Sequence, residues 1–283
     1  MSPRLPRYHE VGGEDRSRLL EQVLAQRERV EQRLAQVRRV VAVMSGKGGV
    51  GKSYFTAVLA GELAQRFDRI GVLDADLAGP TVAALLDARG PLGARGQTVT
   101  PAAGRAGIQV FSADLLLPEG EPLRWKEPAG ERFVWRGALE AGVLREFLSD
   151  VEWGPLDFLL IDLPPGASQM QDLAELVPRL SGAVAVTIPS EESRRAVSRA
   201  MRAAKEAGVR LLGVVENMSS YRCPGCGGEH PLFRGSAAEE LAGEFGLSVL
   251  GRLPFEPRGA SVFLGSERRE IGEIADRLLE LLG

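Results

Sequence analysis

The sequence feature that most constrains this chain is a glycine-rich segment, residues 46–53, that directly follows the apolar run of residues 40–44. The segment reads Gly-Lys-Gly-Gly-Val-Gly-Lys-Ser and fits the pattern G-x-x-x-x-G-K-[S/T] at every fixed position. Residues 54–67 carry apolar side chains at the spacing of a helix that buries one face. A buried strand, a glycine loop and a helix in this order form the context in which the pattern binds phosphate. The sequence therefore predicts a site for a nucleoside triphosphate.

Each part of this segment has a physical role in binding phosphate. Glycines let backbone N–H groups converge on phosphate oxygens, and the N-terminus of the following helix adds a partial positive charge. Lys52 is expected to contact the β- and γ-phosphates, and the hydroxyl of Ser53 is expected to bind Mg²⁺. The candidate nucleotide-binding residues here are Gly46, Lys47, Gly48, Gly49, Val50, Gly51, Lys52, Ser53 and Tyr54.

Two further predicted strands end in aspartate. Asp74 and Asp76 follow the apolar residues 70–73, and Asp162 follows residues 158–161 and precedes Leu-Pro-Pro-Gly. Because the carboxyl ends of parallel strands meet at one edge of a sheet, these carboxylates and the glycine loop should lie together. Such an aspartate can hold Mg²⁺ or its water shell, or it can merely cap a helix. Two of them beside a phosphate loop favour the magnesium interpretation.

Lys47 occupies a position that is variable in the standard phosphate-binding loop. A lysine there points away from the chain's own nucleotide. It can instead reach across a twofold axis to the phosphates of a facing subunit, as an arginine finger does. A solvated surface lysine is the alternative, and the spacing alone does not separate the two.

Cys223 and Cys226 form a C-x₂-C motif with glycines around it. They are the two cysteines of the sequence, so one chain cannot provide the four thiolates of a closed zinc or iron–sulfur site. Two chains related by a twofold axis could provide them. His230 is a candidate third ligand or an ordinary surface histidine, and a redox-active dithiol is a further alternative.

Length and composition limit the remaining possibilities. The chain has 283 residues, of which 44% are hydrophobic and 26% charged, and its net charge is −3. This charge gives no general attraction to nucleic acid or anionic membranes, and no apolar run is long enough to span a bilayer. The arginine-rich N-terminus lacks the apolar segment of a secretory signal. We therefore expect a cytoplasmic protein with reduced thiols, with neither nucleic acid nor membrane among its partners.

The order of elements predicts the fold class. Apolar strands alternate with amphipathic helices, which is typical of an α/β fold with a single doubly wound, mostly parallel sheet. We expect residues 1–39 to form an N-terminal tail and amphipathic helix. Residues 40–283 should form one phosphate-loop domain, in which residues 217–235 make a cysteine-bearing loop. The same periodicity predicts helices over residues 14–39 and 170–180.

Seven short motifs between residue 40 and the C-terminus together resemble a known family. They are Ser-Gly-Lys-Gly-Gly-Val-Gly-Lys-Ser at 45–53, Asp-Ala-Asp at 74–76 with Gly-Pro at 79–80, Trp-Arg-Gly at 135–137, Trp-Gly-Pro-Leu-Asp at 153–157, Asp-Leu-Pro-Pro-Gly at 162–166, Glu-Asn-Met-Ser at 216–219 and Cys-Pro-Gly-Cys at 223–226. The chain resembles the Mrp/ApbC family of iron–sulfur cluster carrier ATPases. That family belongs to the deviant P-loop class, also called SIMIBI, which contains MinD, ParA and the nitrogenase iron protein.

For the nucleotide, the resemblance implies ATP with Mg²⁺. The residues implied to be catalytic are Lys47, Lys52 and Asp76, and those implied to hold Mg²⁺ are Ser53, Asp74 and Asp162. Lys47 would act across a nucleotide-sandwich dimer, and Asp76 would orient the attacking water. Asn217 would contact the adenine edge, and the segment around Pro254 would close the base pocket.

For the cysteines, the resemblance implies a homodimer. Cys223 and Cys226 would pair with their mates in the second subunit to bridge a [4Fe–4S] cluster. The implied activity is slow ATP hydrolysis coupled to transfer of the cluster to apo-proteins.

One departure and two alternatives qualify this interpretation. The family usually continues Pro-Pro-Gly with Thr-Gly-Asp or Thr-Ser-Asp, whereas residues 167–169 here are Ala-Ser-Gln, which predicts altered hydrolysis or coupling. A MinD/ParA-like positioning ATPase would need a basic amphipathic anchor, and the mixed-charge segment 271–282 does not provide one. An ATPase dimer clasped by a structural zinc ion needs the same thiolates as the cluster and stays open.

Overall fold

The apolar run before the glycine loop forms the central strand of the sheet. The computed structural model describes residues 19–90, 92–95, 98–116, 142–177, 179–223, 225–233, 235–255 and 268–283. In it, strand β1 (Val37–Ser45) is buried from Val40 to Ser45 and has a parallel neighbour on each side. A strand covered on both faces reads as a continuous apolar run, which explains why this segment shows no alternation.

The strands and helices follow one another in the expected alternation. The remaining strands are β2 (Ile70–Asp74), β3 (Gly93–Arg95), β4 (Thr98–Thr100), β5 (Ala102–Ala103), β6 (Gln109–Ser112), β7 (Leu156–Asp162), β8 (Leu180–Thr187), β9 (Leu211–Glu216), β10 (Ser220–Arg222), β11 (Glu229–Pro231) and β12 (Val249–Arg252). The helices are α1 (Leu19–Leu34), α2 (Lys52–Leu63), α3 (Val82–Leu85), α4 (142–150), α5 (Ser168–Leu176), α6 (Glu191–Glu206), α7 (Ala237–Phe245) and α8 (Arg268–Leu282).

One eight-stranded sheet organises the chain, in the order β12-β9-β8-β1-β7-β2-β6-β5. All of its neighbouring strands are parallel except β5, which pairs with β6 in antiparallel fashion. Two small antiparallel hairpins, β3–β4 and β10–β11, lie outside this sheet. Helices α2, α3 and α8 contribute to the core on one face of the sheet, whereas α1, α4, α5, α6 and α7 contribute to the core on the other. The predicted doubly wound, mostly parallel α/β fold is confirmed.

Two predicted element boundaries are wrong by several residues. The helix expected to extend to residue 39 ends at Leu34, because Val37 already pairs with Leu156 and begins β1. The helix expected over 170–180 ends at Leu176, because Leu180 pairs with Val40 and begins β8. Apolar residues at these two junctions are compatible with a helix or a strand. Periodicity alone therefore misplaces the boundary between the helix and the following strand. The sequence pattern also predicts an irregular region over residues 113–132 and a helix over 137–148, and both lie partly outside the described residues.

Candidate functional site

The glycine loop forms a cleft at the carboxyl end of β1. Gly49 and Gly51 both have φ of 79°, a left-handed conformation that favours glycine, and Gly51 is the N-cap of α2. The loop lines a cavity of about 560 Å³ together with Tyr54, Asp76 and Pro165. The predicted convergence of the three strand ends at one edge of the sheet is therefore present in the structure. Of the loop residues, Gly48 and Gly49 are exposed and Val50 is buried.

Gly46 lies where no other residue fits. A Cβ atom built on it would lie 2.1 Å from the carbonyl carbon of Ala196, which belongs to α6. Main-chain atoms of a helix cannot withdraw as the end of a flexible side chain can. The first glycine of the loop is thus required by its contact with α6, whereas a Cβ atom on Gly48 would meet nothing within 4 Å.

Asp162 holds the two residues that were predicted to contact phosphate and Mg²⁺. Its Oδ2 accepts hydrogen bonds from Lys52 Nζ at 2.7 Å and from Ser53 Oγ at 2.5 Å. The Lys52 side chain is 6% exposed and that of Asp162 is fully buried, so the ion pair is shielded from solvent. The charge of Lys52 is thus neutralised by Asp162, and the same carboxylate orients the Ser53 hydroxyl.

Thr56 is a site residue that the sequence analysis missed. From the second turn of α2, its Oγ1 lies 2.7 Å from Asp162 Oδ1 and 3.0 Å from the carbonyl oxygen of Lys52. The contact holds the second carboxylate oxygen, while Oδ2 contacts Lys52 and Ser53. A polar residue within the predicted buried helix face was the one available signal, because the contact joins residues 106 positions apart.

Asp74 lies beside this group but faces other donors. It is fully buried and its Oδ2 accepts hydrogen bonds from the backbone N–H groups of Thr81 and Val82 and from the Ser112 hydroxyl. The first two are at the N-terminus of α3, so the carboxylate does cap a helix. Burial, and then the charge of Asp162, raises the pKa of Asp74 to about 7. Its predicted role in holding Mg²⁺ stays a prediction.

Asp76 and Lys47 both line the cleft and are both partly exposed. Burial raises the pKa of Asp76 above its ordinary value, while the positive charge of Lys52 and backbone N–H groups oppose that rise. A carboxylate with a raised pKa accepts a proton from water more readily. The Lys47 carbonyl accepts a hydrogen bond from the Ser45 hydroxyl at 3.1 Å, which fixes the backbone at this position.

Asn217 and Pro254, predicted to hold the base, lie outside the lining of the cleft. The Asn217 side chain is buried, and its Nδ2 donates to the carbonyl oxygen of Val50 at 2.9 Å. Pro254 is buried after β12, where the preceding Leu253 donates its N–H to Glu216 O. The adenine contact stays a prediction for both. The Gly166 N–H donates to the Ser45 carbonyl oxygen at 2.9 Å.

The two cysteines lie at the turn of the β10–β11 hairpin. Cys223 is half-buried and Cys226 is exposed, and both are free thiols. Hydrogen bonds from the backbone N–H groups of Cys226 and Gly225, followed by one from the Cys226 thiol, lower the pKa of Cys223. A thiolate is thereby favoured at the position where a metal ion needs one.

His230 lies close to the cysteine turn without completing a metal site. Both Cys226 Sγ and His230 Nε2 lie 3.3 Å from the point that a Cβ atom on Gly228 would occupy. Across the described residues, however, no three His, Cys, Asp or Glu side chains are grouped so that they could hold a metal ion. One chain thus offers two thiolates, as the cysteine count predicted.

Large apolar side chains are exposed at the base of the same hairpin. Leu232 and Phe233 directly follow β11 and are 41% and 38% exposed. Phe255 is 38% exposed and its backbone N–H donates to Ser220 O, at the start of β10. The hairpin that carries the cysteines therefore has exposed apolar side chains at its base.

The sheet order and the loop geometry define a P-loop NTPase. A sequence model described as ParA, NUBPL iron-transfer P-loop NTPase, matches residues 36–265, and the chain belongs to that family. It is 36% identical over 281 residues to an iron–sulfur cluster carrier protein of Saccharolobus solfataricus, covering 95% of this chain and 92% of the relative.

Two solved structures share the fold. A nucleotide-binding protein from Archaeoglobus fulgidus, in complex with ADP and with Co, superposes with a TM-score of 0.66 at 32% identity, covering 89% of this chain and 92% of that chain. The septum site-determining protein MinD of Pyrococcus horikoshii, complexed with Mg-ADP, gives a TM-score of 0.56 at 16% identity, covering 87% and 97%. The second likeness shows the MinD-like fold alone.

The helices of the described residues were compared with the length and hydropathy that a membrane span requires. None of the helices there is long and apolar enough to cross a bilayer.

Proposed function

We propose that this protein is an ATP-dependent carrier that binds an iron–sulfur cluster between two copies of the chain and passes it to apo-proteins in the cytoplasm. The observation that carries the proposal is the presence, in one chain, of a preorganised phosphate cleft and of two accessible thiols with a lowered pKa at Cys223. A phosphate cleft alone is common to the whole class. The two thiols additionally provide a site at which an iron–sulfur cluster can be bound as cargo.

Nucleotide binding uses the Lys52–Asp162 pair. The phosphates of ATP attract the Lys52 ammonium away from the Asp162 carboxylate, 2.7 Å from it in this structure. The carboxylate is then free to hold Mg²⁺ together with Ser53, and this ion would neutralise charge on the phosphates. Asp74 would support the site indirectly, through its hydrogen bonds with the N-terminus of α3.

During hydrolysis, Asp76 would accept the proton that the attacking water releases. Water attacks the γ-phosphorus, a new P–O bond forms, the bond to the β–γ bridging oxygen breaks, and ADP and inorganic phosphate result. Asp76 lines the cleft and has a raised pKa, which suits a group that orients the water and accepts its proton. Lys47 of a facing subunit would stabilise the negative charge that develops on the phosphates.

The cluster is the cargo and needs two chains. Each chain supplies Cys223 and Cys226, and a [4Fe–4S] cluster takes four thiolates, so the cysteine turns must meet at a twofold axis. The exposed Leu232, Phe233 and Phe255 would then be covered by the second copy or lie around a shielded cluster. Apolar cover suits this site, because it excludes water from the cluster.

The test is the stoichiometry of iron and sulfide after anaerobic reconstitution. We expect about two irons and two sulfides per chain in a dimer, as a bridging [4Fe–4S] cluster requires. Cys223→Ser and Cys226→Ser should each abolish iron loading while retaining ATP binding in calorimetry. His230→Ala is the matched control on the same hairpin and should load normally. A fully loaded monomer would refute the bridging arrangement.

A zinc-clasped ATPase is the second candidate, because tetrahedral zinc accepts the same four thiolates. One zinc ion per dimer that iron and sulfide cannot displace would favour this candidate over the carrier. The positioning ATPase gains no support from the site, since it gives the cysteine pair no role.

A further inference from the structure

Asn217 joins the phosphate-binding loop directly to the segment that carries the cysteines. Its Nδ2 donates to Val50 O at 2.9 Å, and its backbone N–H donates to Thr187 O at 2.8 Å, at the end of the neighbouring strand β8. A Cβ atom on Gly51 would lie 2.1 Å from Nδ2, so the amide packs against the residue that caps α2. The side chain is 3% exposed and is held tightly on the loop.

The residues after Asn217 continue this connection to the hairpin. We call residues 216–220 the strap. Met218 in its middle has φ of 53°, a left-handed conformation that is strained for a residue with a side chain. The backbone N–H and the hydroxyl of Ser219 both contact Leu253 O, at 3.0 and 3.1 Å. Ser220 then begins β10, and Cys223 follows at its end.

The other end of the hairpin segment returns to the same strap. Glu216 is 2% exposed, and its Oε2 accepts the backbone N–H of Ala238 at 2.9 Å, in the first turn of α7. Residues 217–237, which include both cysteines, are therefore closed into a loop by one buried carboxylate. Glu216 therefore links the start of the strap to the start of α7, at the two ends of the segment that carries the hairpin.

We infer that Asn217 is a positioning residue that couples the nucleotide cleft to the cysteine hairpin, so that nucleotide binding changes the exposure of the thiols. This inference rests on the proposed function. When Lys52 and Ser53 exchange Asp162 for phosphate and Mg²⁺, the loop that precedes them must adjust. The Asn217 amide follows the Val50 carbonyl, because the hydrogen bond is buried and costly to leave unmade. The strap transfers this displacement to the hairpin.

The experiment measures thiol reactivity in the full-length, cluster-free protein. Cys223 and Cys226 are alkylated with iodoacetamide, with and without a saturating Mg²⁺ complex of a non-hydrolysable ATP analogue, and saturation is verified by calorimetry for each variant. Coupling between two sites typically changes the affinity at one of them by about fivefold or more, and we use this factor as the scale for the change in alkylation rate. We expect a change of this size in the natural sequence and in the matched control Ser219→Ala, which keeps the contact with Val50. The cysteines of the Asn217→Ala variant should be alkylated at the same rate with and without the ATP analogue.

The outcomes separate the inference from the proposed function. A full nucleotide response in Asn217→Ala would overturn the coupling role, and so would a natural protein that binds nucleotide without any change in alkylation. If Asn217 acted only on adenine, the variant would lose affinity yet recover the response at saturation, which also overturns the inference. A protein that binds no iron but retains the Asn217-dependent response would refute the carrier function and leave the coupling intact.

Discussion

The buried ion pair between Lys52 and Asp162 can be tested without nucleotide, by its effect on stability. Lys52→Met removes the ammonium and keeps most of the apolar stem, so it leaves the Asp162 carboxylate buried and without its cation. Removing one partner of a buried pair costs about 3–5 kcal/mol. Since the hydroxyls of Ser53 and Thr56 still donate to the carboxylate, at 2.5 and 2.7 Å, we expect the lower end, about 3 kcal/mol.

A second substitution should recover most of this loss. Asp162→Asn added to Lys52→Met removes the uncompensated charge while keeping the shape of the side chain. The double variant should therefore be more stable than Lys52→Met alone, by about 2 kcal/mol. Replacing only Asp162 should destabilise the protein too, because it leaves the Lys52 ammonium buried.

The assay is urea-induced unfolding at pH 7.5 in the absence of nucleotide. It compares the natural sequence, Lys52→Met, Asp162→Asn and the double variant. Lys205→Met is the matched control, because Lys205 is exposed on α6 and its loss should change stability by less than about 0.5 kcal/mol. The reasoning is refuted if Lys52→Met is as stable as this control, or if the double variant is no more stable than Lys52→Met.

Three further predictions concern the pH dependence, the loop and the altered motif after Asp162. The pKa of Asp74 is raised from 3.8 to about 7, so between these values the folded chain binds a proton that the unfolded chain releases. The Asp74 contribution to stability should therefore fall by about 3 kcal/mol as the pH rises from about 4 to about 7. Urea midpoints measured across this pH range should fall with pH in the natural sequence and fall less in Asp74→Asn. An equal fall in the variant would show that Asp74 does not cause this pH dependence. Gly46→Ala should destabilise the fold by about 1–3 kcal/mol and abolish ATP binding in calorimetry, whereas Gly48→Ala, with open space around it, should fold normally. Gln169→Asp introduces the acid that the resemblance to the Mrp/ApbC family implies near this position and should raise the basal rate of phosphate release, and an equal rate would show that this departure is silent.

The sequence predicted the parts of the site whose signal is local. A glycine loop between a buried strand and a helix can be recognised from adjacent residues, and so can an aspartate that ends an apolar strand. The number of cysteines sets a limit on metal ligation that does not depend on the fold. These predictions needed only the sheet rule that places strand ends together, and the cleft formed by the loop, Asp76 and Pro165 agrees with it.

The contacts between distant residues could not be predicted from the sequence. The Asp162 carboxylate accepts hydrogen bonds from Lys52, Ser53 and Thr56, which are distant from it in the sequence. Asn217 likewise contacts the carbonyl of a residue 167 positions away. Each depends on strand order and register, which pattern analysis does not provide. Asp74 illustrates the same point, since only the position of α3 reveals that its carboxylate caps that helix.

The order of the strands also determines when this site can form during synthesis. Strand β1 is made early, but its two neighbours, β7 and β8, are completed only when residues 162 and 187 have left the ribosome. Closing such long loops is entropically costly, and folds dominated by distant pairings assemble slowly. A nascent chain that stops before residue 156 carries the whole glycine loop, yet it lacks both strands that hold β1 in place and the carboxylate that holds Lys52. The glycine loop is thus synthesised well before the strands at residues 156–187 that complete the nucleotide site.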